Sequence, residues 1–409
     1  MKPAAQYLLR YAVPEARAFY ELAQNQYTHS ELGTWRNVLV IPAYKESPSL
    51  LQNLQRYSNT LLILVLNRPD TEKDLHCNDE LRDYIQTLKE ESRPSKTNST
   101  LRCVDAKQNN HVLLIERAEP LPRKEGVGLA RKLGCDVALA LAATDVVTSP
   151  WIHCTDADAV LPSDYFSAAA SSDAAVALIY PFAHMTPADC GQAQATKFYE
   201  AYLNHYVEGL RSAGSPYGFH TIGSCIAIKA ETYAVVRGFP RRAAGEDFYL
   251  LNKAVKEGQV RTPDCEPILL SARLSSRVPF GTGPALQQLL DGDSLESVPY
   301  FYDPRCFEGL TALIGYAKEQ GVPGSKVGDF GTGLRDHPET LAAVIELGLE
   351  RFLDHAKKQC ATKGAFILQF HQWLDGFRTL KLIHALSVHW PKLTAAESAQ
   401  RRTSHQSAP

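Results

Sequence analysis

The sequence has no C-x-x-C pair, no G-x-G-x-x-G turn after its first apolar run, and no G-x-x-x-x-G-K-[ST] loop. Nine cysteines are scattered through 409 residues, at positions 77, 103, 135, 154, 190, 225, 265, 306 and 360. An odd set without close pairs reads as free thiols of a reducing compartment, not as a disulfide frame or a zinc knuckle. The missing glycine turn excludes a dinucleotide-binding dehydrogenase, and the missing loop excludes a P-loop NTPase. "GVGLAR" (126–131) contains G-x-G, but it lies far into the chain and lacks the third glycine. No stretch approaches the ~18 apolar residues that a membrane span needs. The best apolar run, "VALALAATDVV", is stopped by Asp145. Nor is there a charge excess: the net charge is −2, which argues against a protein built to coat nucleic acid. The first residues, "MKPAAQYLLRYAVPEARAFYELA", are interrupted by charge too often for a signal peptide. These absences together predict a cytoplasmic protein without a transmembrane segment, with a peripheral membrane contact left open.

What is present is a globular composition, 44% hydrophobic and 22% charged, in a chain long enough for two or three domains. Residues 1–36 read as an amphipathic helical extension, with aromatics at Tyr7, Tyr11, Phe19 and Tyr20. "NVLVIPAY" (37–44) and "TLLILVLN" (60–67) read as buried strands flanking the helix-like "SPSLLQNLQRYS". That order predicts a βαβ unit and an open, mostly parallel α/β sheet with helices on both faces. Residues 70–110 are polar and predict a helix followed by an exposed loop. Further strands are expected at 111–118, 149–158 and 173–182, and helices at 126–143, 191–212 and 245–258. The expected domains are the extension, an α/β domain over 37–285, a helical region over 286–390, and a disordered tail over 391–409.

In open α/β sheets ligands bind at the carboxyl ends of the strands. Three marked stretches fall there: "PAYKE" after the first strand, "TDAD" (155–158) after the fourth, and "GED" (245–247) opening a later helix. Alone, an Asp-x-Asp is more often a turn or a helix cap. In this order, two carboxylates on one side of an extended chain repel each other unless a cation neutralises them. Hard oxygen ligands suit Mg²⁺ or Mn²⁺, which share their coordination with substrate phosphates, so a diphosphate is the expected ligand.

The series "VLVIPAYKE", "GVGLARKLGCDVALALAATDVVTSPWIHCTDADAVLPSDYF" and "GEDFYLLNKAVKEG" resembles the family 2 glycosyltransferases of GT-A fold, over about residues 37–260. The resemblance implies transfer of a sugar, of hexosyl type, from a nucleotide-diphosphate donor to a hydroxyl acceptor. The acceptor class stays open among glycans, lipid-linked acceptors and small molecules. By the same resemblance, Pro42, Ala43, Tyr44 and Glu46 are candidates to cradle the base and ribose. The family often has an aspartate after the second strand; here "LNRPD" offers Asn67 or Asp70 instead, which leaves the base open. Gly126 and Gly128 would let backbone approach the donor, and Arg131, or less so Lys132, would reach phosphate oxygens. Asp158 is the expected metal ligand, Asp156 lies near ribose or metal, and His220 is a further metal candidate, with a structural role as its plainer reading. Asp247 is the expected general base of an inverting transfer, with Glu246 positioning the acceptor. The plain reading of that pair is two acids at a helix N-terminus. His153 is expected to be strand packing.

Glycines 281 and 283 beside Arg277 suggest a loop over the donor phosphates, or a surface turn. A retaining transferase of this fold, making a small glycoside on a glycerate-type acceptor, and a non-catalytic sugar-nucleotide-binding protein are the alternatives. A sugar nucleotidylyltransferase is disfavoured because the first strand lacks its Gly-rich basic loop. The helical stretch "FHQWLDGFRTLKLIHAL" is expected to be core, with capping of the acceptor site, a homodimer contact or a lipid-linked acceptor as its other uses.

Overall fold

A computed structural model describes residues 2–24, 33–94, 97–117, 119–275, 281–292 and 300–406. The chain forms two compact units. The first comprises Met1–Thr186 and Thr221–Pro284, the second Pro187–His220 and Ala285–Pro409. The α/β domain expected over 37–285 is thus interrupted, and residues 187–220 group with the C-terminal helices instead.

The first unit is built on a sheet of nine strands: β1 (Asn37–Ala43), β2 (Thr60–Leu66), β3 (Lys89–Ser92), β4 (Ser99–Asp105), β5 (Asn110–Glu116), β6 (Trp151–Cys154), β7 (Ala175–Ile179), β9 (Ile226–Lys229) and β10 (Gln259–Arg261). Their order is β10-β7-β9-β6-β1-β2-β5-β4-β3. The central four, β6-β1-β2-β5, are parallel, and all strands but β4 and β9 run the same way. Strands β1 and β2 are apolar along their length because both their faces are covered. A separate parallel pair joins β8 (Phe182–His184) to β11 (Ile268–Leu270).

On one face lies the Gly126–Ala142 helix, buried from Gly128 to Leu141. Gly134 lets it sit close: a Cβ there would come 2.3 Å from Val40 Cγ1. Behind it pack the two N-terminal helices, Lys2–Arg10 and Pro14–Gln24. The fully buried Asp136 ties them down, accepting from the Tyr7 hydroxyl (2.6 Å), the Val13 amide (2.9 Å) and the Tyr233 hydroxyl (2.8 Å). Lys132 Nζ lies 3.0 Å from the same carboxylate, so this lysine faces the extension and is not placed as a phosphate contact. On the other face His153 packs against Tyr165 and Phe166.

The expected loop before residue 110 is a hairpin. After the Asp79–Thr87 helix come β3 and β4, paired antiparallel at the sheet edge. Strand β3, "KEES", has no buried residue, so it carries no apolar alternation to read.

The second unit is helical. The Cys190–Ser212, Pro304–Glu319, Val327–Gly333, Pro338–Glu346, Leu349–Gln359, Lys363–Trp373 and Gly376–His389 helices share a core that includes Leu310, Phe330, Phe366, Phe370 and Leu386. The tail expected to be disordered contains the Ala395–Gln406 helix. Thr394 and Glu397 cap it, and Arg401 pairs with the buried Asp303. Among the described residues no helix is long and apolar enough to cross a membrane.

Candidate functional site

Strand β6 ends at Cys154, and its side chains alternate between the two faces. Cys154 points to the Gly126–Ala142 helix and His153 to the opposite aromatic cluster. Burial holds the His153 imidazole neutral, with its pKa lowered to about 3. The chain then turns through Thr155, Asp156, Ala157 and Asp158. The turn is held from the segment after β1: Asn53 Nδ2 donates to Ala159 O (2.8 Å), and Leu161 N donates to Asn53 Oδ1 (3.1 Å). Arg56 and Tyr57 donate to the carbonyls of Leu161 and Pro162.

Arg131 is the hub beneath these acids. It is buried, at 3% exposure. Its Nε donates to Glu246 Oε1 (3.0 Å) and one terminal nitrogen to Asp156 Oδ1 (2.6 Å). The other terminal nitrogen donates to Gly223 O (2.8 Å) and contacts Cys154 Sγ (3.2 Å). The expectation that Arg131 reaches phosphate oxygens meets a guanidinium engaged on every side. It joins the Asp-x-Asp turn to the Glu246–Ala254 helix. Asp156 also accepts from Ser224 Oγ (2.8 Å), while its side chain keeps 38% of its surface exposed.

Asp247 follows Glu246 in the first turn of that helix, after Gly245 in a left-handed conformation (φ 72°). Burial, then the neighbouring Glu246 charge, raises its carboxyl from 3.8 to about 7. Arg131 and the Phe248 amide pull the other way without cancelling this.

Gly126 and Gly128 serve this helix too. A Cβ on Gly128 would lie 2.5 Å from Arg242 O and 2.6 Å from Pro240 O, and one on Gly126 would lie 2.9 Å from Ala243 Cα. Gly128 N donates to Arg242 O (3.0 Å). The close backbone approach they permit is that of the loop leading to Gly245, where a donor had been expected.

At the end of β1 the candidates are spread. Ala43 is buried, and its carbonyl accepts from Asn67 N and Nδ2, both at 3.0 Å. Pro42 lies within β1, opposite Val65. The Tyr44 hydroxyl donates to Glu72, which also pairs with Lys45 (2.6 Å). Asn78 Oδ1 accepts from Lys45 N and its Nδ2 donates to Asn67 O, stitching the ends of β1 and β2 together. Asp70 accepts from Arg123 N (3.0 Å), as a loop brace. Beside it, a cavity of about 390 Å³ opens at the ends of β2 and β5, lined by Asn67, Arg68, Asn78, Arg82, Asn98 and Glu116 among others.

Glu46 turns toward the Asp-x-Asp. Arg273, just past β11, reaches Glu46 through both terminal nitrogens (2.6 and 3.2 Å) and Asp158 Oδ2 through Nε (3.0 Å). Burial, followed by the Asp156 charge, raises the Asp158 carboxyl. The structure thus gathers Glu46, Arg131, Asp156, Asp158, Glu246 and Asp247 in the first unit. It adds Asn53, Asn78, Ser224 and Arg273, which stand in no motif; only spatial proximity reveals them.

His220 falls in the second unit, and burial lowers its pKa to about 4. Arg277 lies outside the described residues. Among the described residues, three metal-type ligand atoms converge within 4.8 Å at Glu91, Cys103 and His111. Two of the three already have partners: Trp35 Nε1 donates to His111 Nδ1 (3.1 Å), and Lys89 pairs with Glu91 (2.9 Å). Asp156 and Asp158 supply hard oxygens that fit Mg²⁺ or Mn²⁺, and their mutual repulsion favours a bound cation.

No family model matches the chain, and no curated protein matches it. Among solved structures, "Mannosyltransferase PcManGT from Pyrobaculum calidifontis in complex with GDP-Man and Mn2+" aligns with 91% of this chain and 98% of its own. The identity is 15% and the TM-score 0.37, a likeness too slight to bear on fold or function.

Proposed function

We propose that the first unit is a metal-dependent glycosyltransferase of GT-A type that moves a hexosyl group from a nucleotide-diphosphate sugar to a hydroxyl acceptor, with inversion. The observation that carries this reading is the pairing of two acid sets through one buried arginine. Asp156 and Glu246 share Arg131, and Asp247 beside them has a carboxyl poised at about 7.

Asp158 and Asp156 would hold the divalent ion. When bound, that ion would neutralise the charge growing on the leaving diphosphate. Asp247 takes the acceptor hydroxyl's proton as its oxygen forms a bond to the anomeric carbon. The bond from that carbon to the diphosphate oxygen breaks, and its electron pair leaves with the diphosphate. A base with a pKa near the working pH is suited to that step. Burial, and after it the charge of Glu246 fixed by Arg131, keeps Asp247 from ionising too early. The cavity at the ends of β2 and β5 is the proposed seat of the base, with Asn67 on its wall.

A thermal-shift panel of nucleoside diphosphates and their sugars, with and without Mn²⁺, tests this function. The expected result is a metal-dependent rise in melting temperature with one base. A panel without any shift overturns the function.

A further inference from the structure

We propose that Arg273 is a member of the metal–diphosphate site: in the free protein its guanidinium holds the seat of the divalent ion, and it gives up Asp158 when the metal and diphosphate arrive. This inference rests on the function proposed above. Three observations carry it. First, Arg273 is the cation shared by Glu46, from the turn after β1, and Asp158, from the turn after β6. It bridges two acids that come from separate strand ends and would otherwise repel.

Second, its approach is built into the backbone. Val160, two residues after Asp158, pairs with Leu269 on β11: Val160 N donates to Leu269 O (2.8 Å), and Leu269 N donates to Val160 O (2.9 Å). Ser271 Oγ then accepts from Arg273 N (3.3 Å). The arginine and the acid are therefore carried on two clamped segments.

Third, the three contacts are unequal. Glu46 takes both terminal nitrogens in a fork, whereas Asp158 is met by Nε alone. Forked pairing is the stronger, more directional mode. Asp158 is accordingly the side released, while Glu46 retains the guanidinium beside the site. The Arg273 side chain is 39% exposed, so it can swing without opening the core. A divalent ion and an arginine drawn to the same carboxylate repel each other. The two must compete in the absence of nucleotide, and need not compete once the diphosphate supplies a second anionic partner.

Electron paramagnetic resonance titration of Mn²⁺ into the full chain tests this, with R273Q and R273K beside the parent and circular dichroism as the check on folding. For R273Q, Mn²⁺ alone is expected to bind about 10-fold tighter, because a competing cation is gone, and the Mn²⁺–nucleoside diphosphate pair about 10-fold more weakly. R273K keeps the charge without the fork and should fall between the two. Should R273Q not fold, the same intermediate shifts in R273K decide the matter. Unchanged Mn²⁺ affinity in both variants, in a parent that binds Mn²⁺ with diphosphate, overturns the role of Arg273. Absence of Mn²⁺–diphosphate binding in the parent itself overturns the function instead.

Discussion

Asp247 is where the chemistry and the stability of the site pull apart. Its folded pKa of about 7 lies above the ordinary 3.8. A carboxyl raised by folding stabilises the fold while it stays protonated, fully below about pH 4, and loses that contribution as pH rises toward 7. D247N should therefore be more stable than the parent at pH 8 by ~1–2 kcal/mol in urea unfolding, after allowance for solvent screening, and the two should be equally stable at pH 3.5. The same substitution should lower turnover by about 10²–10⁴-fold, the range for loss of a general base. The parent's kcat/KM should rise with pH through an apparent pKa near 7, and D247N should lack that limb. Turnover of D247N equal to the parent's would remove Asp247 as the base. Asp156, Asp158, Glu246 and Asp247 were legible in the sequence because each follows a strand end or opens a helix, and Glu46 because it follows the first strand. Arg273 was not, since a single arginine after a three-residue strand has no pattern around it. Arg131 was legible as important, but its partners, Asp156 and Glu246, lie 25 and 115 residues away and only folding shows them.

At the scale of elements, the Gly126–Ala142 helix organises the first unit. Its glycines face the 240–243 loop and Val40, its arginine faces the acids, and Asp136 faces the N-terminal helices. G128A should push back the Arg242 carbonyl, since its Cβ would sit 2.5 Å away. The expected cost is ~1–3 kcal/mol in urea unfolding, with a loss of activity through the displaced Glu246–Ala254 helix. D136A strands Lys132 in the interior and removes the acceptor of Tyr7, Val13 and Tyr233. A loss of ~3–5 kcal/mol is expected, with protease cleavage appearing first in residues 1–24. A variant as stable as the parent would show that the N-terminal helices are held elsewhere. Buried parallel strands were readable here because β1 and β2 are apolar on both faces. The β3–β4 hairpin was not, because an edge strand such as "KEES" buries nothing, and polar residues suit an edge exposed to water.

For the whole molecule, the α/β arrangement followed from the order of apolar runs, and the helical C-terminal region from its periodicity. The division into units did not, because the Cys190–Ser212 helix belongs with distant sequence through contacts such as Gly209 against the Phe307 ring. Helix Ala395–Gln406 was missed for a similar reason. Its composition is polar, and what supports it is a buried carboxylate, Asp303, about a hundred residues earlier. The central claim is that the turn after β6 binds a divalent ion together with a nucleoside diphosphate. Calorimetric titration of the fitting nucleoside diphosphate, with Mn²⁺ and with chelator, into the parent and D158N measures this most directly. The prediction is binding that needs the metal and weakens at least about 10-fold in D158N, the scale of one lost charged ligand. Equal affinity with chelator, or in D158N, would contradict the account.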